Sequence, residues 1–394
     1  MFRLWLKFIL RFLLRIFHLF PIKNNRIIFE SYGGSQLSCS PFCLYEFIKE
    51  AEKNLELVLV VKSSKQIIDS KSILFVKYGS WHYFKYVLTS KVYITNIGLG
   101  VFLPFREKQI VINTWHACCA YKKIEKDFYK YEGMYAWLYD KSLNLISQST
   151  TYYLAAAEAA MKGMSSAWGL PLEKCIQSGL PRNDIFFHPQ KMEERLIHLR
   201  NALRIEQSDF VVLYAPTFRK TVGNPFYEWT LCETDLFKAI ENRFATKKIK
   251  LLLRLHLSLL RNVDIVQKLK ARETVSNIMD VSLYPEMQDL LCVADMLITD
   301  YSSSVWDYSF TYRPCFLFTP DLEEYKKKTD FYTPIEEWGF SICKTNEELR
   351  KQIEAFDENK FKQAMIRHHE NLGSYEKGTA TEEVVKIILS HIDH

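Results

Sequence analysis

The sequence predicts an α/β protein with two Rossmann-like domains facing each other across a cleft, preceded by an amphipathic helix that lies on a membrane surface. Three observations predict it. Short apolar, β-rich runs alternate with helical patterns, the mark of a parallel sheet covered on both faces. The alternation comes as two series, separated by the polar stretch His188 to Gln207. And 394 residues are too many for one ordinary core but comfortable for two. The expected division is a helix over residues 1–22, a first domain over 23–195 and a second over 196–394.

Residues 1–20 read MFRLWLKFILRFLLRIFHLF. Arg3, Lys7, Arg11 and Arg15 recur every fourth residue, so on a helix they drift only ~40° per step and form one basic stripe, with His18 in the same sector. Phe, Leu, Ile and Trp fill the rest of the wheel. So many cations are costly at a bilayer centre, which excludes a spanning helix, and no small-residue cleavage site follows to make a secretory signal. A helix in the interface of an anionic membrane satisfies both halves of the pattern, better than one packed on the protein's own core. Pro21 and Asn24-Asn25 end it.

In the first series Arg26–Glu30, Leu55–Lys62, Lys91–Asn96 and Gln109–Thr114 read as buried strands, with helices at Cys43–Ala51 and Trp81–Thr89. In the second, Asp209–Ala215, Ile249–Leu255, Met296–Asp300 and Cys315–Phe318 are the strands, and Leu236–Phe244, Glu286–Val293 and Ser304–Tyr312 the helices. His188–Gln207 contains a linking helix, and Thr345–Ser390 is helical and charged.

Composition narrows the class. Hydrophobic residues at 48% and charged residues at 25% exclude a disordered chain. The net charge of +6 implies anionic partners without itself choosing among nucleic acid, phospholipid and phosphate esters. The nine cysteines are odd in number and sit mostly in apolar runs, as Cys292 does in LLCVAD, so they read as free thiols in a reducing compartment. No CxxC pair marks a structural zinc site, and His116 with Cys118 and Cys119 lacks a second ligand pair nearby.

The strongest local signal is LITDYSSSVWDYSF, 297–310. A strand ends at Asp300, a tight turn follows, and Ser302, Ser303 and Ser304 open a helix. Unpaired backbone N–H groups and small hydroxyls there suit a diphosphate, where a single serine would suffice as a cap. In NTWHACCAYKKI, 113–124, Trp115 and His116 sit at a strand's carboxyl edge, where a histidine can take a proton from an attacking hydroxyl. Lys122 and Lys123 follow, placed either to hold phosphate or to face solvent. Arg254 and His256, two apart at a strand end in LLLRLHLSLL, project from one face and can neutralise charge on a transferred phosphoryl group. Arg182 in GLPRND and Thr217 and Arg219 in VLYAPTFRK complete a set of polar groups at strand ends, where α/β ligand sites form. The convergence points to phosphate chemistry; the absence of GxxxxGK[ST] excludes a P-loop enzyme, and no acidic pair calls for a divalent metal.

The segments FESYGG, TWHACCAYKKI, GLPRND, LYAPTFR, RLHLS, DVSLYPEMQDLL, ITDYSSSVWDYSF, RPCFLF, DLEEY and FYTP, in that order, resemble the CDP-glycerol:polyglycerophosphate glycerophosphotransferases, the teichoic acid primases and polymerases of bacterial cell envelopes. The resemblance runs from about Arg26 to the C-terminal helices. It implies a GT-B fold with an acceptor domain first and a CDP-donor domain second, peripheral association with the cytoplasmic face of the cell membrane, and neither metal, cofactor nor nucleic acid. It further implies His116 as base on the acceptor hydroxyl, with Trp115, Lys122 and Lys123 on the acceptor side. His256 and Arg254 fall near the donor phosphates, and Ser302 and Ser303, with Ser304 and Asp300, at the diphosphate. Arg182, Thr217 and Arg219 take other donor positions, and Glu286 lies near the cytidine. The implied partners are CDP-glycerol or a related CDP-polyol and a lipid-linked or polymeric acceptor, and the implied reaction releases CMP. The family's glycine, threonine and proline after the histidine are replaced here by Ala117, Cys118 and Cys119, and a later proline by Leu257, which alters the acceptor-side walls. A GT-B glycosyltransferase using a nucleotide sugar in envelope or capsule assembly is the alternative enzyme; a non-catalytic scaffold is the alternative class.

Overall fold

The computed structural model describes residues 2–52, 54–63, 74–217, 219–220, 225–226, 230–246, 248–256, 259, 262–273 and 277–392. The chain begins with α1 (Phe2–Leu14) and a 3-10 turn (Arg15–Leu19), then β1 (Lys23–Glu30), α2 (Cys39–Ala51), β2 (Glu56–Val61), β3 (Leu74–Lys77), α3 (Trp81–Thr89), β4 (Ser90–Thr95) and β5 (Ile110–Asn113). It continues through α4 (Glu125–Phe128), α5 (Gly133–Ser149), β6 (Tyr152–Leu154), α6 (Glu158–Trp168), β7 (Cys175–Ile176) and α7 (Pro189–Ala202). The second series comprises β8 (Phe210–Tyr214), β9 (Arg219–Lys220), β10 (Pro225–Phe226), α8 (Glu233–Phe244), β11 (Ile249–Leu253), α9 (Val263–Glu273) and β12 (Ile278–Asp280). Then come α10 (Met287–Val293), β13 (Met296–Thr299), α11 (Ser304–Ser309), β14 (Cys315–Phe318), α12 (Leu322–Lys328), β15 (Ser341–Cys343), α13 (Asn346–Glu354), α14 (Glu358–Leu372) and α15 (Ala380–Ser390).

Runs such as IVIN in β5, MLIT in β13 and CFLF in β14 are buried at every position, which only a strand covered on both faces requires. Both large sheets are parallel throughout. The first has the order β3-β2-β1-β4-β5-β6-β7 and the second β12-β11-β8-β13-β14-β15. Each order reverses once, at β1/β4 and at β8/β13, and in doubly wound sheets ligands bind outside the carboxyl ends of the strands at that reversal.

The chain forms two compact units, residues 1–184 with 372–394, and residues 185–371. The boundary expected at 195/196 lies inside α7, which packs on α10 of the second unit. The final helix also departs from the expected division, because it belongs to the first unit. Asp184 accepts the N–H groups of Ala380 and Thr381 at 3.0 and 2.7 Å, capping α15, which packs on α2. Glu376 accepts the Leu180 N–H at 3.0 Å and the Asn183 side-chain amide at 2.8 Å. Gly179, at φ 80, lies so close that a Cβ would stand 2.5 Å from Glu376 Oε2. GLPRND is thus the clasp that holds the returning segment.

The first helix exists but is rotated relative to the expected basic stripe. Leu14 and Phe17 enter the core of the first unit. Arg11 Nη1 donates to the Val101 and Leu103 carbonyls at 2.9 and 2.5 Å, and His18 Nε2 lies 2.7 Å from the Pro104 carbonyl. Those two polar groups therefore face the protein. Arg3, Lys7 and Arg15 remain exposed, as do Phe2, Trp5, Leu6, Ile9, Phe12, Leu13 and Ile16. The helix gives way to the 3-10 turn before Pro21, and Asn24 and Asn25 already belong to β1. Among the described residues no helix is long and apolar enough to cross a membrane.

Removing Glu376 leaves the Leu180 N–H and the Asn183 amide without their carboxylate acceptor, at about 1–3 kcal/mol for each unsatisfied donor. Glu376→Ala is expected to lower stability by about 2–4 kcal/mol, read as a shift of the chemical-denaturation midpoint. Glu376→Gln, which keeps one acceptor oxygen, is expected to lose less.

Candidate active site

In the first unit the polar groups gather at the β1/β4 reversal and at the end of the next strand, β5. After β1 the backbone turns through Tyr32, Gly33 and Gly34, all at positive φ (50, 62 and 74°). Asn96, just beyond β4, holds this turn with its Oδ1 on the Tyr32 N–H at 2.8 Å. The same residue's carbonyl lies 2.8 Å from His116 Nδ1. A carbonyl only accepts, so this bond puts the imidazole proton on Nδ1 and the lone pair on Nε2. The His116 ring packs between Trp115, with centroids 4.5 Å apart, and Tyr32, at 5.8 Å.

Trp115 takes φ 49, a conformation costing about 1–3 kcal/mol in a non-glycine residue. Asn113 Oδ1 on the Trp115 N–H (2.9 Å) and the Trp168 ring (4.7 Å) hold it there. Lys122 and Lys123 are half-buried beyond the buried run Cys118–Tyr121. Cys118 and Cys119 line the core rather than an open surface, and none of the nine cysteines, all among the described residues, is in a disulfide. Arg182 belongs to this unit as well. It is 4% exposed, and its Nη1 lies 3.6 Å from Cys39 Sγ at the start of α2. The geometry therefore gives Arg182 a packing position within the first unit.

In the second unit the β8/β13 reversal carries Thr217, Asp300 and the serine turn. Asp300 is 1% exposed, and both its oxygens take the Thr217 N–H at 3.0 Å, while Oδ1 also takes the Tyr301 N–H at 2.6 Å. Arg219 completes the charge balance. Its Nη1 donates to Asp300 Oδ2 at 2.9 Å and to the Thr217 carbonyl and hydroxyl at 2.7 and 3.0 Å. Nε and Nη2 grip Asp321 at 2.6 and 2.9 Å. Tyr301 donates to Asp321 at 2.9 Å and stacks on Tyr325 with centroids 3.7 Å apart, under the guanidinium.

Burial favours the neutral form of each partner, yet the pairing overrides it: Arg219 is held above its ordinary value and Asp321 below its own. Arg219, Asp300 and the Thr217 backbone thus form the frame of the turn; the sequence reading had them contact the donor. Asp321, Tyr301 and Tyr325, which complete that frame, escaped the sequence reading because Arg219 and Asp321 lie 102 residues apart.

Ser302 Oγ accepts the Ser304 N–H at 3.2 Å and the Ser304 hydroxyl at 2.9 Å, which leaves its own proton to donate. Ser303 occupies the cap of α11 without a side-chain cap bond, and both Ser302 and Ser303 are half-buried. Ser304 is buried. The helix they open ends at Ser309, shorter than the stretch to Tyr312 expected.

Arg254 and His256 lie just after β11, which stops at Leu253, so strand alternation does not place them. Arg254 Nη1 donates to the Val281 and Tyr284 carbonyls at 3.3 and 2.5 Å, tying this loop to the one after β12. His256 is exposed at its edge, and partial burial with the nearby Arg254 charge lowers its pKa, so the ring is neutral at pH 7. The neutral ring can offer a phosphate a hydrogen bond. Leu257 lies outside the described residues. Glu286 caps α10, its carboxylate accepting the Gln288 N–H at 3.3 Å.

Two doubly wound parallel-sheet units in one chain, each with its polar groups at the reversal, make a GT-B-like transferase fold. Structures of the wall teichoic acid polymerase TagF share it, with a TM-score of 0.83 over 100% of this chain and 98% of theirs at 23% identity. The profile of the CDP-glycerol:poly(glycerophosphate) glycerophosphotransferase family matches residues 12–390, and the chain belongs to that family. It is 26% identical over 385 residues to a teichoic acid poly(glycerol phosphate) polymerase of Bacillus spizizenii, covering 95% of this chain and 94% of that protein. A teichoic acid ribitol-phosphate primase of the same organism is 26% identical over 389 residues, covering 95% and 93%. Against a polymerase of Bacillus subtilis, 27% identical over 93% of this chain, the chain spans about half of the relative's length, 49%.

Losing Arg219 would strand a buried Asp300, and breaking one side of such a pair costs about 3–5 kcal/mol. Arg219→Ala is expected to lower stability by that order in a denaturation experiment at pH 7. Because Asp321 is held below its ordinary value, the wild-type advantage over the variant persists at neutral pH and shrinks as pH falls into the carboxylate range. A donor-contact role alone would leave stability unchanged.

Proposed function

We propose that the protein transfers glycerol phosphate from CDP-glycerol to a hydroxyl of a lipid-linked or polymeric acceptor in teichoic-acid-like synthesis, releasing CMP. The observation that carries this reading is the His116 tautomer, because a base needs its lone pair on the outer nitrogen. His116 Nε2 takes the proton of the acceptor hydroxyl, the new bond forms to the β-phosphorus, and the bond to CMP breaks. Catalysis then rests on placement and charge stabilisation, without a covalent enzyme intermediate. The Ser302 proton and the Ser303 hydroxyl serve the diphosphate at the second unit's reversal, with neutral His256 as a further donor. A TagF variant of the same fold was soaked with CDPG, which supports the donor class. Equal identity to a ribitol-phosphate primase makes CDP-ribitol the second donor to test.

The working place in this reading is the cytoplasmic face of the cell membrane. The outer surface of α1 joins exposed Phe2, Trp5, Ile9, Phe12 and Leu13 to the cations Arg3, Lys7 and Arg15, a pattern suited to anionic lipid. The surface continues on α5. Lys141 Nζ lies 5.9 Å from the Phe8 ring and 4.9 Å from that of exposed Trp137.

Incubation with CDP-glycerol, CDP-ribitol or a UDP-sugar and a lipid-linked acceptor, followed by mass measurement, tests the reaction. Transfer from the UDP-sugar alone would sink the proposal. His116→Ala is expected to lower kcat by about 10²–10⁴-fold with CDP-glycerol binding retained by calorimetry. Ser302→Ala with Ser303→Ala should weaken that binding instead.

Deletion of residues 1–20 would remove Leu14 and Phe17 from the core, so the membrane test uses surface changes. Trp5→Ser, Ile9→Ser and Phe12→Ser together should abolish flotation with anionic vesicles while the circular dichroism spectrum is kept. Unchanged flotation would refute the α1 assignment.

A further inference from the structure

We propose that Glu30 is a positioning residue for the transfer step: its carboxyl fixes the turn and the carbonyl that hold the His116 imidazole. The inference rests on His116 being the base. Glu30 ends β1 at the reversal of the first sheet and is 2% exposed. Phenols hold it, and the charge of Lys62 acts on it. Tyr83 of α3 donates to Oε2 at 2.9 Å, and Tyr93 of β4 is a second hydrogen-bond partner. Tyr78, after β3, and Lys62, after β2, are the other titratable groups near enough to act on it.

From this carboxyl two short paths lead to His116. The first is covalent. Two residues on, the Tyr32 ring packs against the imidazole, at a backbone angle the chain does not take unaided. The second runs through β4. Tyr93 lies two residues before Thr95 on the same face of β4, and Thr95 stands opposite Glu30 in the β1/β4 register. The Thr95 carbonyl takes the Thr114 N–H at 2.8 Å, and the next residue, Asn96, supplies the carbonyl on His116 Nδ1. Both flanks of the imidazole are therefore tied to one buried carboxyl.

The charge state of that carboxyl decides the direction of the hydroxyls around it. A carboxylate accepts from Tyr83 and Tyr93; a carboxylic acid carries a proton of its own and must donate it, so at least one phenol turns. Burial pushes Glu30 up to about 7, against the pull of both phenols and Lys62, so the exchange falls near neutral pH.

The test compares the wild type with Glu30→Gln, which keeps the shape and removes the titration. Two readouts are followed from pH 5.5 to 8.5: kcat for transfer from CDP-glycerol, and the imidazole ¹⁵N shifts of His116 in histidine-labelled protein. Beside the titration of His116 itself, the wild type is expected to show a second step near pH 7 in both. Glu30→Gln should lose that step and lower kcat roughly ten- to a hundredfold, with KM for CDP-glycerol within about twofold and circular dichroism unchanged. A Glu30→Gln enzyme with the wild-type pH profile and spectrum overturns the proposal.

Should Glu30→Gln fail to fold, Tyr83→Phe decides. It removes a bond that lowers the Glu30 pKa, so the step must move to higher pH, and an unmoved step overturns the proposal equally. A wild type that transfers nothing from CDP-glycerol refutes the assigned reaction instead, while the His116 spectrum still reports on Glu30.

Discussion

A parallel strand covered on both faces has no dry place for a polar side chain except at its end. That constraint shapes both units. β5, β13 and β14 are buried along their whole length, with polar residues only at the last positions of β5 and β13, and other polar groups fall where these strands and their neighbours stop. Right-handed crossovers then send every strand of a sheet in one direction, so all the carboxyl ends share one edge. The reversal of strand order opens that edge at a single point. Glu30, Asn96 and His116 gather around that point in the first unit, and Thr217, Asp300 and the serine turn in the second. Site and fold are consequences of the same packing rule.

The two reversals use buried carboxylates differently. Asp300 is balanced by a guanidinium and two backbone N–H groups, and that guanidinium is itself gripped by Asp321 and laid over Tyr301 and Tyr325. A group held on so many sides is fixed in place, which suits a turn that must present hydroxyls to a fixed anion. Glu30 is held by phenols, and burial offsets their pull and that of Lys62, so its two protonation states are close in free energy near pH 7. One carboxylate supplies rigidity and the other a soft degree of freedom beside the base. Strain concentrates on the softer side: Tyr32, Cys39 and Trp115 all take positive φ there.

The fold was legible in the sequence because its signals are local. CFLF at 315–318 and the helix at 81–89 can be read without their neighbours, and the alternation of such runs implies the parallel sheets. What escaped is set by distance. β7 is two residues long and β6 three, too short to carry a periodicity. Nothing local shows that Arg11 would turn inward, since its acceptors Val101 and Leu103 are 90 and 92 residues away. The positions of the serine turn and His116 at strand ends were legible from residue type and strand position. The partners of Arg182, Arg219 and Asp300 within their own units were not legible for the same reason: a charged group at a strand end looks alike whether it meets a ligand or a group of its own chain.

The returning helix α15 changes how the molecule must be made. Because residues 372–394 belong with residues 1–184, the second unit is an insert within the first. During synthesis residues 185–371 emerge as an uninterrupted stretch able to close its own sheet, since domains generally fold as units as they leave the ribosome. The earlier unit must wait, its clasp at Gly179–Asp184 unfilled, until Glu376 and α15 arrive. Assembly of the half that carries His116 is therefore the later event, although its sheet is the first to be translated.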